Sequence, residues 1–300
     1  MNSFTILVDT NSDLPEEYMA QHRIETIPIP FDIDGTQHSG GRWQEISDKG
    51  FYKALHNGSV AGTALINPEA YIRVFTEYAS LTKPLLVLTL SSGLSGTYQN
   101  SLIALEDVKG KYPDCEIYTV DSLNAAGGTG LLTTLAVKKR AEGLTAGETA
   151  AWLESKRHSC LALFTVDDLM YLHRGGRLSM LSAVAGSIIG IKPLLNVAPD
   201  GTLKLKDKAR GRKNSLSTLC KQLKRSLNPN TNLDTVIISH SDCVEDAELL
   251  AGMVRSSTNV REVIVTMMGP VIGAHVGPGC VAMFFEADMP REEYEKRFYK

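Results

Sequence analysis

The chain has 300 residues, 43% of them hydrophobic and 22% charged, with a formal net charge of −3. These values predict a globular protein of about two ordinary domains, and the slight negative charge excludes recruitment of nucleic acid by bulk electrostatics. No apolar stretch is long enough to cross a bilayer. Five cysteines, an odd number with no CxxC pair, argue for free thiols in a reducing cytoplasm and against a zinc knuckle.

The first residues, Met1-Asn2-Ser3-Phe4-Thr5, lack a basic region followed by an apolar one, so no secretory signal is expected. Phe4 to Val8 reads as a strand that ends in Asp9-Thr10-Asn11-Ser12-Asp13-Leu14-Pro15, the chemistry of a turn and a helix start. Ile24 to Ile33 reads as a second strand. Pro68 to Ser80 and Thr97 to Val108 have helical spacing, and Leu85 to Leu90 and Glu116 to Val120 are short β runs. A long helix follows Gly127-Gly128 as far as Arg140, and another contains Trp152 and Leu153. Strands alternating with helices predict a parallel sheet, whose ligands sit at the carboxyl ends of its strands. Asp9, Ser91 to Ser95 and Asp121 fall at such ends.

The second half is less regular. Cys160 to Val166, Thr235 to Ser239, Glu262 to Met267 and Cys280 to Phe285 read as strands, with Leu203 to Leu205 a further candidate. Helices are expected around Leu181 to Ile189, Lys213 to Leu227 and Val244 to Ser257. A boundary near residue 158 gives domains of residues 1–158 and 159–300. There is no low-complexity linker at that point and no usable internal repeat.

Several segments are candidates for chemistry. Ser95 follows a strand and precedes a helix starting near Thr97, so Ser95, Gly96, Thr97 and their amides form an anion-binding helix start, although helix capping explains the same residues. As a hydrolase elbow the segment is weak, because Thr97 stands where GxSxG needs its last glycine. Gly127-Gly128-Thr129-Gly130 and Gly175-Gly176-Arg177 lack GxGxxG spacing and a Walker lysine, and read as tight turns or close packing rather than nucleotide loops. The cations from Lys204 to Lys213 have no interleaved aromatic residue, which favours a solvated face, or a docking surface for an acidic protein, over nucleic-acid binding. His275 stands in Gly269-Pro270-Val271-Ile272-Gly273-Ala274-His275-Val276-Gly277-Pro278-Gly279. It has no His, Cys or Glu at metal-ligand spacing, which leaves it as a donor held in a chosen direction.

Several segments occur in an order that resembles one family. They are Asp9 to Leu14, Ser92-Gly93-Leu94-Ser95-Gly96-Thr97-Tyr98-Gln99, Asp121-Ser122, Asp168 to Arg177, Ile191-Lys192-Pro193-Leu194-Leu195 and His275-Val276-Gly277-Pro278-Gly279. Together they are similar to the DegV family of fatty-acid-binding proteins over nearly the whole chain.

The resemblance implies a two-domain α/β fold. The N-terminal domain would be a parallel α/β layer structure, and the C-terminal one would carry a mixed or largely antiparallel sheet. It further implies one long-chain fatty acid in an apolar tunnel between the domains, its carboxylate held by Thr63, Ser95 and His275. A separate ATP-dependent fatty acid kinase would convert the bound acid to an acyl phosphate for phospholipid synthesis. Arg177 matches a basic position of the head-group region, and Arg210 one of the kinase-docking face. The implied protein is a cytoplasmic carrier with no catalytic residue, metal or cofactor beyond the bound fatty acid, and it allows transient contact with a membrane surface. One departure is specific to this chain. Thr63-Ala64-Leu65-Ile66-Asn67-Pro68 keeps the family's threonine but lacks the usual Ser and Gln, leaving fewer polar groups for the carboxylate. A lipid sensor that does not hand its ligand on would need the same pocket, and a Ser95/His275 esterase is the enzymatic alternative.

Overall fold

The computed structural model describes residues 4–40, 46–180 and 190–299. Among them, thirteen strands run in chain order: β1 (Thr5–Asp9), β2 (Ile24–Ile27), β3 (Phe31–Ile33), β4 (Thr36–His38), β5 (Ala61–Thr63), β6 (Leu85–Thr89), β7 (Ile117–Asp121), β8 (Cys160–Thr165), β9 (Ile191–Val197), β10 (Leu203–Arg210), β11 (Asn232–His240), β12 (Asn259–Met267) and β13 (Val281–Glu286). They form three sheets. The first, in the order β2-β1-β6-β7, is wholly parallel. The second is six-stranded, in the order β10-β9-β8-β13-β11-β12, and only its β11–β12 pair is parallel. A small antiparallel sheet, β4-β3-β5, stands apart from both. The protein is therefore a mixed α/β fold of two domains, one built on a parallel sheet and one on a largely antiparallel mixed sheet.

The helix Gly127–Ala141 lies between the two large sheets, and every residue from Gly127 to Val137 is buried. Its three glycines allow that approach. A Cβ on Gly127 would lie 2.6 Å from Ile237 and 2.8 Å from Phe284, and one on Gly128 would lie 2.9 Å from Phe284. The Gly-rich run is thus a packing device, as its spacing predicted, and one apolar core runs across it from Ile6 and Leu88 to Ala162 and Phe284.

One expected strand is corrected, and two further elements lie where the sequence predicts none. Ile24 to Ile33 is two strands in different sheets, because Pro28 and Pro30 supply no N–H to a ladder. Ile191–Val197 is a strand although it contains Pro193. β8 pairs with β9 only at Leu194, Leu195 and Asn196, so the missing N–H of Pro193 breaks no bond on that side. The Gly- and Pro-rich segment around His275 holds a short helix, Pro270–Val276, with Pro270 in its first turn and Gly277 ending it at φ 65°. Elsewhere the helix Pro68–Ser80 has its expected ends, and Thr97–Lys111, Arg212–Arg225 and Val244–Ser257 lie where periodicity put them. The helix expected around Leu181 to Ile189 lies outside the described residues.

Candidate functional site

The mixed sheet, the small sheet and the segments that follow β2 and β6 of the parallel sheet contribute to a cavity of about 200 Å³. One wall is a face of the mixed sheet. Ala282 is registered against Phe164 and Phe284 against Ala162, so two phenyl rings alternate diagonally with two methyls. Val197 and Cys280 extend that wall. The opposite wall is Val271, Ile272 and Val276 of the His275 helix, with Ile29, Leu90 and Ala126 beside them. The lining is apolar over most of its length, and its polar side chains are Thr63, Ser95, Arg177 and His275.

These four residues arrive from four different elements. Thr63 is the last residue of β5, and its hydroxyl lies 2.8 Å from Nε2 of His275, in the last turn of Pro270–Val276. A proton on Nε2 is donated to Thr63, whose own hydrogen is then free for a ligand oxygen. The other ring nitrogen, Nδ1, is buried without a hydrogen-bond partner. Burial, followed by the nearby Arg177 charge, pushes the imidazole pKa down to about 4, so the ring is neutral at physiological pH. The fixed positive charge comes from Arg177. Its Nε donates to Leu94 O at 3.1 Å and its Nη1 to Gly175 O. Among the described residues no carboxylate pairs with it.

Ser95 lies on the cavity lining next to the start of the helix Thr97–Lys111. Its hydroxyl lies 3.0 Å from that of Thr97 and accepts the Thr97 N–H at 3.3 Å. Thr97 itself is fully buried, with its hydroxyl turned to Ser95, and it is not on the cavity wall. Gly96 occupies the N-cap position beneath the Leu65 side chain and is also absent from the wall. Arg210 is exposed at the end of β10, away from the cavity. The basic stretch around it is partly paired rather than free: Lys206 meets Glu295 at 2.7 Å, and Arg212 meets Asp246 at 2.7 Å. Among the described residues no group of three or more His, Cys, Asp or Glu side chains is placed to hold a metal ion.

A second, more polar pocket adjoins this one. Val60, Gly62, Tyr171 and Arg174 line it, and it shares Thr63, Arg177 and His275 with the first cavity. The guanidinium of Arg174 lies 4.5 Å from the centre of the Tyr171 ring.

Residues 3–288 match the family model described as the uncharacterised DegV family. The chain belongs to the DegV family. A DegV domain-containing protein of Clostridium perfringens is 40% identical over 289 residues, covering 96% of this chain and 99% of its own. Among solved structures, a DegV lipid-binding protein of Thermotoga maritima is 31% identical with a TM-score of 0.84, covering 96% of this chain and 99% of its own. A second Thermotoga maritima protein, whose structure is described as revealing a fatty acid binding function, is 30% identical with a TM-score of 0.84, over 96% of this chain and 100% of its own.

The DegV motifs that the sequence displayed have local physical roles here. A side chain on Gly175 would run into Nδ1 of the His275 ring, so the first glycine of Gly175-Gly176-Arg177 is the seat on which that ring rests. A Cβ on Gly277 would strike the Tyr171 ring, and one on Gly279 would lie 2.6 Å from the Asp167 carboxylate. The helix Met170–Arg174 and the HxGPG loop therefore interlock, and Arg212 closes the joint by donating to Gly279 O. The sequence marked both glycine motifs but gave no sign that one packs against the other. The walls were equally hidden, because Ala162, Phe164, Ala282 and Phe284 read as ordinary alternating strand residues.

Proposed function

We propose that this DegV protein binds one long-chain fatty acid in the cavity and presents its carboxylate to a separate ATP-dependent fatty acid kinase, as a cytoplasmic carrier feeding phospholipid synthesis. The observation that carries the reading is a cavity with a predominantly apolar lining in which Thr63, Ser95, Arg177 and His275 are the polar side chains. An alkyl chain gains about 0.8 kcal/mol per buried methylene and asks for no polar partner. A buried carboxylate needs several donors, and the Thr63 hydroxyl, turned outward by the His275 Nε2–H it accepts, and the Ser95 hydroxyl supply them, with Arg177 as counter-charge. The lipid and fatty acid binding of the two Thermotoga maritima relatives supports the same ligand class. Gly96 and Thr97 then act behind Ser95, by orienting it.

Hand-over is supported by the adjoining pocket. The three residues it shares with the first cavity leave the head group reachable by another protein without withdrawal of the chain from that cavity. Exposed Arg210 belongs to this reading as a docking residue. So does a domain division near residue 158, at the turn Arg157–Ser159, with the ligand between the two parts. No intrinsic catalysis is assigned. Ser95 faces Thr97 and His275 faces Thr63, so the nucleophile and base of an esterase are each bonded elsewhere.

Native mass spectrometry of freshly purified protein tests the reading. One long-chain fatty acid per chain is the expected result. A protein that stays unloaded when fatty acid is added overturns it, and a loaded protein whose bound acid no acyl kinase phosphorylates removes the hand-over.

A further inference from the structure

Residues Asp9 to Asp13, the last residue of β1 and the turn after it, are all buried, although every one of them is polar. Burying five polar side chains together is costly unless they are bonded, and their bonds share a destination. Asp9 Oδ2 accepts the Leu90 N–H at 2.8 Å, Thr10 Oγ accepts the Ile29 N–H at 3.0 Å, and Asn11 Oδ1 accepts the Ala126 N–H at 2.9 Å. Leu90, Ile29 and Ala126 all line the cavity. Asp13 Oδ1 accepts the N–H of Gly269, the residue that precedes the helix carrying His275, at 3.1 Å. The Asp13 carbonyl accepts the Thr266 hydroxyl at 2.7 Å. Four side chains that do not line the cavity thus hold four segments that build it.

Two of the backbones involved are unfavourable in isolation. Asp13 has φ 53°, and Ala126 has φ 56° with ψ −142°. Non-glycine residues stay in such conformations only where the surroundings hold them. The bonds of Asn11 and Asp13 lie at those two points.

We propose that the Asp9–Asp13 loop is the positioning element of the ligand cavity. Through Thr10, Asp9 and Asn11 it sets the apolar wall, and through Asp13 it fixes the helix that aims His275 at Thr63. The ligand in this inference rests on the fatty-acid reading above, whereas the coupling of Asp13 to His275 does not. Thr10 and Asp13 are positioning residues and touch no ligand.

Two matched pairs of variants test it. Thr10→Val keeps the side-chain shape and removes the acceptor, while Thr10→Ser keeps the acceptor. Asp13→Ala removes the Gly269 contact, while Asp13→Asn retains an oxygen for it. Affinities for saturated fatty acids of graded chain length are measured by displacement of a fluorescent fatty acid, and the His275 ring nitrogens are followed by NMR without lipid. Thr10→Val is expected to weaken binding about tenfold and to shift the preferred chain length, with Thr10→Ser close to wild type. Asp13→Ala is expected to move the His275 signals and to weaken all chain lengths alike, with Asp13→Asn close to wild type. Unchanged chain-length preference in Thr10→Val together with unmoved His275 signals in Asp13→Ala overturns the proposal. Equal losses in Thr10→Ser and Thr10→Val overturn it as well. If Asp13→Ala does not fold, the Thr10 pair decides. If wild-type protein binds no fatty acid, the carrier reading fails, and the His275 signals still decide whether Asp13 sets that ring.

Discussion

Thr63 and His275 stand 212 residues apart in sequence and share one hydrogen bond in the lining of the cavity. Thr63→Val keeps the shape and removes the hydroxyl, and Ser95→Ala removes the other. Each is expected to weaken fatty acid binding by about 1–3 kcal/mol, measured by calorimetry, because a buried carboxylate loses a donor. Unchanged affinity in both would show that the head group lies elsewhere. His275 also predicts a pH dependence. Its folded pKa of about 4 is below the ordinary histidine value of 6.5, so the unfolded chain takes up its proton first as pH falls. The stability contributed by the neutral ring is complete above pH 6.5 and is lost between there and pH 4, at most on the order of 3 kcal/mol. Asp9 slopes the other way. Burial lifts its carboxyl to about 7 against the Leu90 and Asn11 N–H groups that lower it, so its contribution is lost as pH rises from 3.8 to about 7. The two are separated by comparing urea unfolding of wild type and His275→Asn across this range. The difference between the curves grows toward high pH if His275 is buried neutral, and stays flat if it is not.

At the scale of elements, close approach between segments decides more than propensity does. Gly175 is the plainest case. Gly175→Ala is expected to push the His275 ring off its seat, costing about 1–3 kcal/mol in thermal unfolding together with a loss of ligand affinity. A variant of wild-type stability and affinity would mean that the ring has room to move. Gly127→Ala tests the other tight joint, where the central helix meets the mixed sheet at Ile237 and Phe284. It is expected to lower the melting temperature, with little effect on the Thr63–His275 pair. The periodicity of apolar residues marked the helices Pro68–Ser80 and Val244–Ser257 at their observed ends. It could not mark Ile191–Val197, where Pro193 argues against a strand until the pairing on either side is known.

For the whole molecule, the cavity lies where the parallel sheet, the mixed sheet and the small β4-β3-β5 sheet meet, so ligand and fold are linked. A ligand that binds only the folded state stabilises it by RT ln(1 + [L]/Kd), about 2.7 kcal/mol at a hundredfold excess over Kd. A long-chain fatty acid is therefore expected to raise the melting temperature of wild-type protein. The rise should be smaller for Ser95→Ala at the same concentration, and equal rises at sub-saturating lipid would argue against Ser95 as a contact.

Local chemistry determined much of this in advance. Alternating apolar runs and helix-start residues fixed most strands and helices of both sheets, and the spacing of Ser95-Gly96-Thr97, Gly175-Gly176-Arg177 and His275 to Gly279 pointed to the family. Those signals are readable because they depend on neighbours within a few residues. Only the tertiary structure decided which apolar residues face an empty space and which face each other, since Ala162 and Phe284 carry the same chemistry in either place. It also decided that Thr63, Ser95, Arg177 and His275 share one cavity while Thr97 turns away. Their distances are set by how three sheets pack, and packing between distant segments leaves no local pattern in the chain.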